Sequence, residues 1–207
     1  TVQDITQSRD WLTQAWQALA SYQPAWNLSN ELDLLWMAPN TASQRQVLQN
    51  LALMKEHLLS LGMSPEHLWL GGATVEGTLT LDNLLCPAVL TWTAWRAIQR
   101  GLAEVGVAEA VTSDLSAIQK GRVHPSGVLV AVEVGWSESR GGEERQATVL
   151  EAALQATQMA QISAGLWTVI DWPHDQRDRS ESNYGLLNEQ GNPKRGMIVW
   201  LRYAQPS

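Results

Sequence analysis

The chain has 207 residues, a net charge of −7, 44% hydrophobic and 17% charged residues, which is the profile of a soluble globular domain large enough to bury a core. Its acidic balance and 14 scattered Lys and Arg exclude nucleic acid as a partner, because phosphate binding needs clustered cations. No apolar run reaches the length of a membrane span, Thr1-Val2-Gln3-Asp4 shows no signal peptide, and the single Cys86 excludes an internal disulfide and a cysteine-rich metal site.

Helical spacing of Trp11, Leu12, Ala15, Trp16 and Leu19 predicts a helix over 8–22, with Ser8 as N-cap. Pro24 ends it, and a strand follows from Ala25 to about Ser29. After a polar turn at 39–43, a helix is predicted over 43–61, with Val47, Leu48, Leu51, Met54, Leu58 and Leu61 on one face and Gly62 as C-cap. Residues 67–72 read as a short buried strand. Between Ala73 and Gly127 the pattern is weaker. Thr78–Leu81 reads as a brief pairing segment, Asp82–Glu104 as helix with a break near Pro87, Val107–Val111 as a strand and 120–127 as loop. The pattern then clears: strand 128–134, helix 143–161, strand 164–170, a charged loop over 173–183, and a last helix within 193–203.

Strands that are apolar on both faces and alternate with helices predict an α/β fold with a parallel sheet, as a single domain over 1–207. In such folds the working residues sit at the C-terminal ends of strands. Those positions here are Asn30 and Glu31, Gly71 and Gly72, Glu133, and Asp171. Glu133 follows Val128-Leu129-Val130-Ala131-Val132 without a polar residue between, and a carboxylate in such a run is expensive to bury without purpose. A pair of carboxylates on strand ends is the minimum equipment for hydrolysing a glycosidic bond, one as nucleophile and one as proton donor. Asn30 offers an amide to a sugar hydroxyl, and Trp136, Trp167 and Trp172 offer indole faces for a sugar ring. Core packing is the other reading of Trp167, and loop anchoring the other reading of Asp171. The chain has 11 Trp, 3 Tyr and no Phe, so some Trp fill core positions where Phe is usual.

Other chemistries fit less well. His57, His67, His124 and His174 lack metal-ligand spacing. His57 reads as solvated and Cys86 as a small core residue. Ser126 and Ser137 have no nucleophile-elbow motif, and Gly71-Gly72 and Gly141-Gly142 match no phosphate-binding fingerprint.

Asn30-Glu31 at one strand end, and Glu133 before Gly135-Trp136-Ser137 at a later one, resemble clan A, the retaining glycoside hydrolases built on the (β/α)8 barrel. The segment from Leu166 to Asp171 is similar to the clan's eighth strand, and Tyr184-Gly185-Leu186-Leu187 through Gly191-Asn192-Pro193-Lys194 to its closing segment. The resemblance implies a TIM-barrel-type fold present only in its later part, a partial barrel of about five strands. It implies Glu31 as acid/base, Glu133 as nucleophile, and the active-site tryptophan at Trp167 or, second, Trp172. It further implies an oligosaccharide, polysaccharide or glycoside substrate and no metal or organic cofactor; the compartment stays open, with a location outside the cell or in its envelope favoured over the cytoplasm. Two departures stand out. Only 24 residues precede Ala25, and neither His nor Tyr occurs at Val111-Thr112-Ser113-Asp114 where the clan's sixth strand was expected. A non-catalytic carbohydrate-binding or scaffold domain, or an inactive barrel fragment, is the alternative on the same fold, and open sheet edges would favour self-association.

Overall fold

The computed structural model describes residues 2–37, 43–171 and 181–204. Trp172, the turn at 39–42 and most of the predicted charged loop lie outside the described residues. The chain forms two compact units, residues 1–92 with 121–129, and residues 93–120 with 130–207.

The first unit opens with α1 (Val2–Leu19), which begins before Ser8, the predicted N-cap, and so encloses it; of the predicted apolar stripe Leu12 is buried, whereas Trp11 and Leu19 are exposed. The two-residue strand β1 (Trp26–Asn27) and the short helix α2 (Asp33–Met37) lead to α3 (Gln44–Ser60). Ser43 caps α3, its Oγ accepting from Gln46 N at 3.3 Å. The helix stops at Leu61, and Gly62 takes φ +97°, a left-handed turn that glycine adopts without a Cβ penalty. Strand β2 (Leu68–Gly72) and helix α4 (Val75–Leu85) follow. Leu12, Trp26, Leu51, Leu58, Leu68, Leu70 and Leu81 form one core, each contributing roughly 1.5–3 kcal/mol on burial. His57 is not simply solvated: its Nε2 lies 2.8 Å from Thr13 Oγ1 and 3.2 Å from the Arg9 carbonyl, joining α3 to α1.

Strand β3 (Val89–Thr93) corrects two expectations. The stretch 82–104 is not one broken helix, because β3 pairs with β2 in parallel, Leu70 opposite Leu90 and Gly72 opposite Trp92. Nor is Val107–Val111 a strand. It opens α6 (Val107–Gly121), which follows α5 (Trp95–Ala103). Thr78–Leu81 lies inside α4 rather than pairing. Cys86 is exposed rather than a core residue, at the left-handed C-cap of α4.

In the second unit, β4 (Val128–Val134) pairs in parallel with β5 (Ser163–Leu166). Helices α7 (Gly142–Met159) and α8 (Arg195–Tyr203) belong to it too, together with α5 and nearly all of α6. The strand predicted over 164–170 is shorter. Beyond Leu166 only Ile170 forms an isolated parallel bridge, to Leu187. Among the described residues five parallel strands are ordered β1-β2-β3-β4-β5. This is the predicted α/β fold of the TIM-barrel type with five strands, though one strand lies at 89–93 rather than near Val107.

Candidate active site

Within the first unit, the strand direction of β1 is carried past Asn27 by backbone bonds, Leu28 N to Trp69 O at 3.1 Å and Gly71 N to Ser29 O at 3.2 Å. Ser29 is buried, and its Oγ accepts from Gly71 N (2.9 Å) and donates to Gly71 O (3.1 Å). Asn30 is exposed and Glu31 half-buried. Glu31 adopts φ +54°, and its carbonyl accepts from Leu34 N at 3.0 Å. Two residues further on, Asp33 is wholly buried. Its Oδ1 accepts from Ala73 N (2.8 Å), and its Oδ2 from Thr74 N (2.9 Å) and Thr74 Oγ1 (2.7 Å). The chain is thus fastened to the end of β2 on both sides of Glu31.

Within the second unit, Glu133 lies near the end of β4, half-buried, also at φ +54°. The β4–β5 register shows why. Ala131 opposes Ala164 and Val134 opposes Leu166, so Val132 and Glu133 together face the single residue Gly165. Two residues against one is a β-bulge, which re-aims a side chain at a strand end. Three other non-glycine residues have left-handed φ among those described: Gln23, Cys86 and Gln161. Gln23 and Cys86 are helix C-caps and Gln161 follows the C-cap of α7, where this conformation is ordinary. Glu31 lies instead in the turn beyond β1, and Glu133 is the penultimate residue of β4. A non-glycine residue held there costs about 1–3 kcal/mol, and such strain concentrates at functional sites.

Beyond Glu133, Gly135 lies beside Tyr184 and Trp167. A Cβ there would lie 3.4 Å from Tyr184 and 3.7 Å from Trp167. Trp167 is 45% exposed, with an indole surface open to solvent. Trp136 is buried, and Arg140 stacks on its ring at 5.4 Å from the centroid. Asp171 is 6% exposed. Its Oδ1 accepts from Gly185 N at 2.9 Å, and its Oδ2 pairs with Lys194 Nζ at 2.5 Å. Lys194 is itself buried and also pairs with Glu138 at 2.8 Å. Asp171 therefore fastens the end of the 164–171 segment to the closing segment. Gln146 on α7 has a similar task, its Nε2 donating to the carbonyls of Trp136 (2.9 Å) and Gly185 (3.2 Å).

No protein-family model and no curated protein matches this sequence. Solved structures match its fold. A GH5_18 enzyme from Streptomyces cattleya in complex with GlcNAc superposes with TM-score 0.77 at 15% identity, over 98% of this chain and 55% of that one. A GH5_18 from Bifidobacterium longum subsp. infantis gives 0.74 at 17% identity, over 99% of this chain and 53% of that one. A glycoside hydrolase family 17 β-1,3-glucanosyltransferase from Rhizomucor miehei gives 0.61 at 14%, over 85% and 64%. The fold is that of the clan A glycoside hydrolases. The chain spans about half the length of the GH5_18 structures it matches.

In (β/α) barrels the C-terminal strand ends are where chemistry is carried; Glu133 lies near such an end, and Asn30 and Glu31 lie just beyond one. Asp33, Gln146, Tyr184 and Lys194 were passed over as individual residues. Asp33 had one available signal, a second carboxylate two residues after Glu31. Lys194 had none, since a lysine beside Pro193 reads as solvated. Among the described residues, no group of His, Cys, Asp and Glu could hold a metal ion, and no helix is long and apolar enough to cross a membrane.

Proposed function

We propose that this chain carries the catalytic pair of a retaining glycoside hydrolase. Glu133 attacks the anomeric carbon, and Glu31 protonates the departing glycosidic oxygen. The resulting glycosyl-enzyme ester is hydrolysed by a water that Glu31, now a carboxylate, deprotonates. The observation that carries this reading is the shared backbone state of Glu31 and Glu133: both half-buried, both left-handed, one in the turn beyond β1 and one near the end of β4. Asn30 is assigned to a sugar hydroxyl and Trp167 to stacking on a sugar ring, its exposed face supporting that role. Trp172 is the second choice for the stacking role. Trp136 and Asp171, buried and engaged by Arg140 and by Lys194, act from behind the sugar-facing surface. The substrate class is a saccharide, as for the GH5_18 structures that hold GlcNAc or Manβ1-4GlcNAc.

The test is an aryl glycoside panel with the wild type, Glu31→Gln and Glu133→Gln, together with mass spectrometry after trapping by 2-deoxy-2-fluoro glycosides. Turnover by the wild type alone, with the label on the peptide containing Glu133, is expected. A crystal structure would show the two carboxyl groups about 5–5.5 Å apart. Sugar binding that survives in all three proteins without turnover in any refutes catalysis and identifies a binding module instead.

A further inference from the structure

We infer that Asp33 is the positioning residue that holds Glu31 in its working conformation; this rests on the assignment of Glu31 as acid/base. Asp33 is wholly buried and is the first residue of the five-residue α2. Its carboxylate accepts three hydrogen bonds from Ala73 and Thr74, beyond the end of β2. A carboxylate buried at such expense for contacts forty residues away serves the connection between two strand ends.

That connection brackets Glu31. Ser29 is bonded to Gly71 on one side, and Asp33 to Ala73 and Thr74 on the other. Only Asn30, Glu31 and Leu32 lie between these anchors, and the middle residue is left-handed. Strained backbone persists only where its surroundings over-determine it, and two fixed points on one neighbouring strand end supply that constraint. The neighbourhood is shaped for the carboxylate. A Cβ at Gly77 would collide with Asp33, and Thr74 Oγ1, which donates to Asp33, accepts from Gly77 N at 2.9 Å. Glycine at 77 leaves the room that Asp33 needs to reach Thr74.

The experiment compares Asp33→Asn with Asp82→Asn in the full chain. Asp82 is the control: it is also wholly buried and accepts from two loop amides, Val123 N (2.8 Å) and His124 N (3.1 Å). Its remaining oxygen faces the Arg122 guanidinium, 3.8 Å away. Asp33→Asn is expected to lower kcat on aryl glycosides roughly 100-fold, the scale of a lost general acid, with KM within about threefold. The loss should grow as the leaving group becomes more basic, as it does in Glu31→Gln. Asp82→Asn is expected to lower thermal stability comparably while keeping kcat within about twofold. If Asp33→Asn does not fold, Thr74→Val replaces it, with Thr74→Ser expected to restore the rate. Crystal structures read the inference apart from turnover, with Glu31 expected to leave the left-handed region in Asp33→Asn and to keep it in Asp82→Asn. An unchanged Glu31 in Asp33→Asn, or equal kcat losses in the two variants, overturns the inference. A wild type that turns over nothing while Glu31 still moves in Asp33→Asn overturns the glycosidase reading and leaves the positioning role standing.

Discussion

Replacing Glu133 by alanine and, separately, by glycine isolates the strain at that position from its chemistry, because both substitutions remove the carboxylate. In ordinary extended backbone alanine is the more stable of the two by about 0.4–1 kcal/mol, since glycine loses more freedom on folding. At φ +54° alanine retains the left-handed penalty of about 1–3 kcal/mol and glycine does not. Setting the two against each other leaves glycine ahead by about 1 kcal/mol, a reversal of the usual sign. For a chain of this size that corresponds to a Tm difference of roughly 2–4 °C. Urea unfolding followed by circular dichroism, with equal m-values confirming a common denatured state, measures it directly. The same pair at Val128, exposed at the start of β4, should show the ordinary order, alanine above glycine. An alanine variant at 133 more stable than the glycine variant would refute the strain argument and remove the main structural support for a working Glu133.

Breaking the buried cluster around Lys194 tests the anchoring of the closing segment. Lys194→Met leaves Asp171 and Glu138 without their shared cation, and a buried pair broken from one side loses about 3–5 kcal/mol, to be read by urea unfolding; a loss under about 1 kcal/mol contradicts the assignment. Trp167→Ala should weaken saccharide binding or raise KM roughly 3- to 10-fold, the scale of one aromatic contact. It should leave thermal stability within about 1 kcal/mol, because the side chain is half exposed. Isothermal titration calorimetry and a thermal melt separate the two quantities. Gly77→Ala should cost about 1–3 kcal/mol through overpacking against Asp33, with a fall in kcat that Leu79→Ala on the same helix does not share.

The helices α3 and α7 were legible because their apolar spacing is regular, and the ends of α3 carry readable signals in the Ser43 cap and Gly62; α1 was legible only in its body, since Ser8, read as its N-cap, lies inside it. Strand β3 was not, for a physical reason. Only Ala94 separates Thr93 from the first residue of α5, with no Gly, Pro, Asn or Asp between them. Strand and helix therefore merge into one apolar run that periodicity cannot divide. The reading of Val107–Val111 as a strand failed for the complementary reason. Gly106, at φ +98°, ends α5, its N–H bonded to Gly101 O at 2.7 Å, and the turns of α6 that follow are a short apolar cluster of ambiguous period. Glu31 and Glu133 were legible as strand-end carboxylates, but their backbone state was not. Left-handed φ at a glutamate leaves no mark in composition, and it arises from contacts with residues such as Gly71, Ala73 and Ala164 that are distant in sequence.

The two glutamates reach the same conformation by different means. Glu31 sits in a non-repetitive turn, where polar side chains, Ser29 and Asp33, do the fastening. Glu133 sits within a strand, where the ladder itself does it. Ala131 and Val134, both wholly buried, are locked opposite Ala164 and Leu166, and the surplus residue between them must bulge. Polar anchoring is directional, and losing one partner leaves a buried group unsatisfied, so it fails abruptly. Ladder anchoring is shared among many backbone bonds and apolar contacts, and a single side-chain change perturbs it gradually. Substitutions near Glu31 should therefore act through a few named hydrogen bonds, whereas the geometry of Glu133 is a property of the β4–β5 register and changes only when that register does.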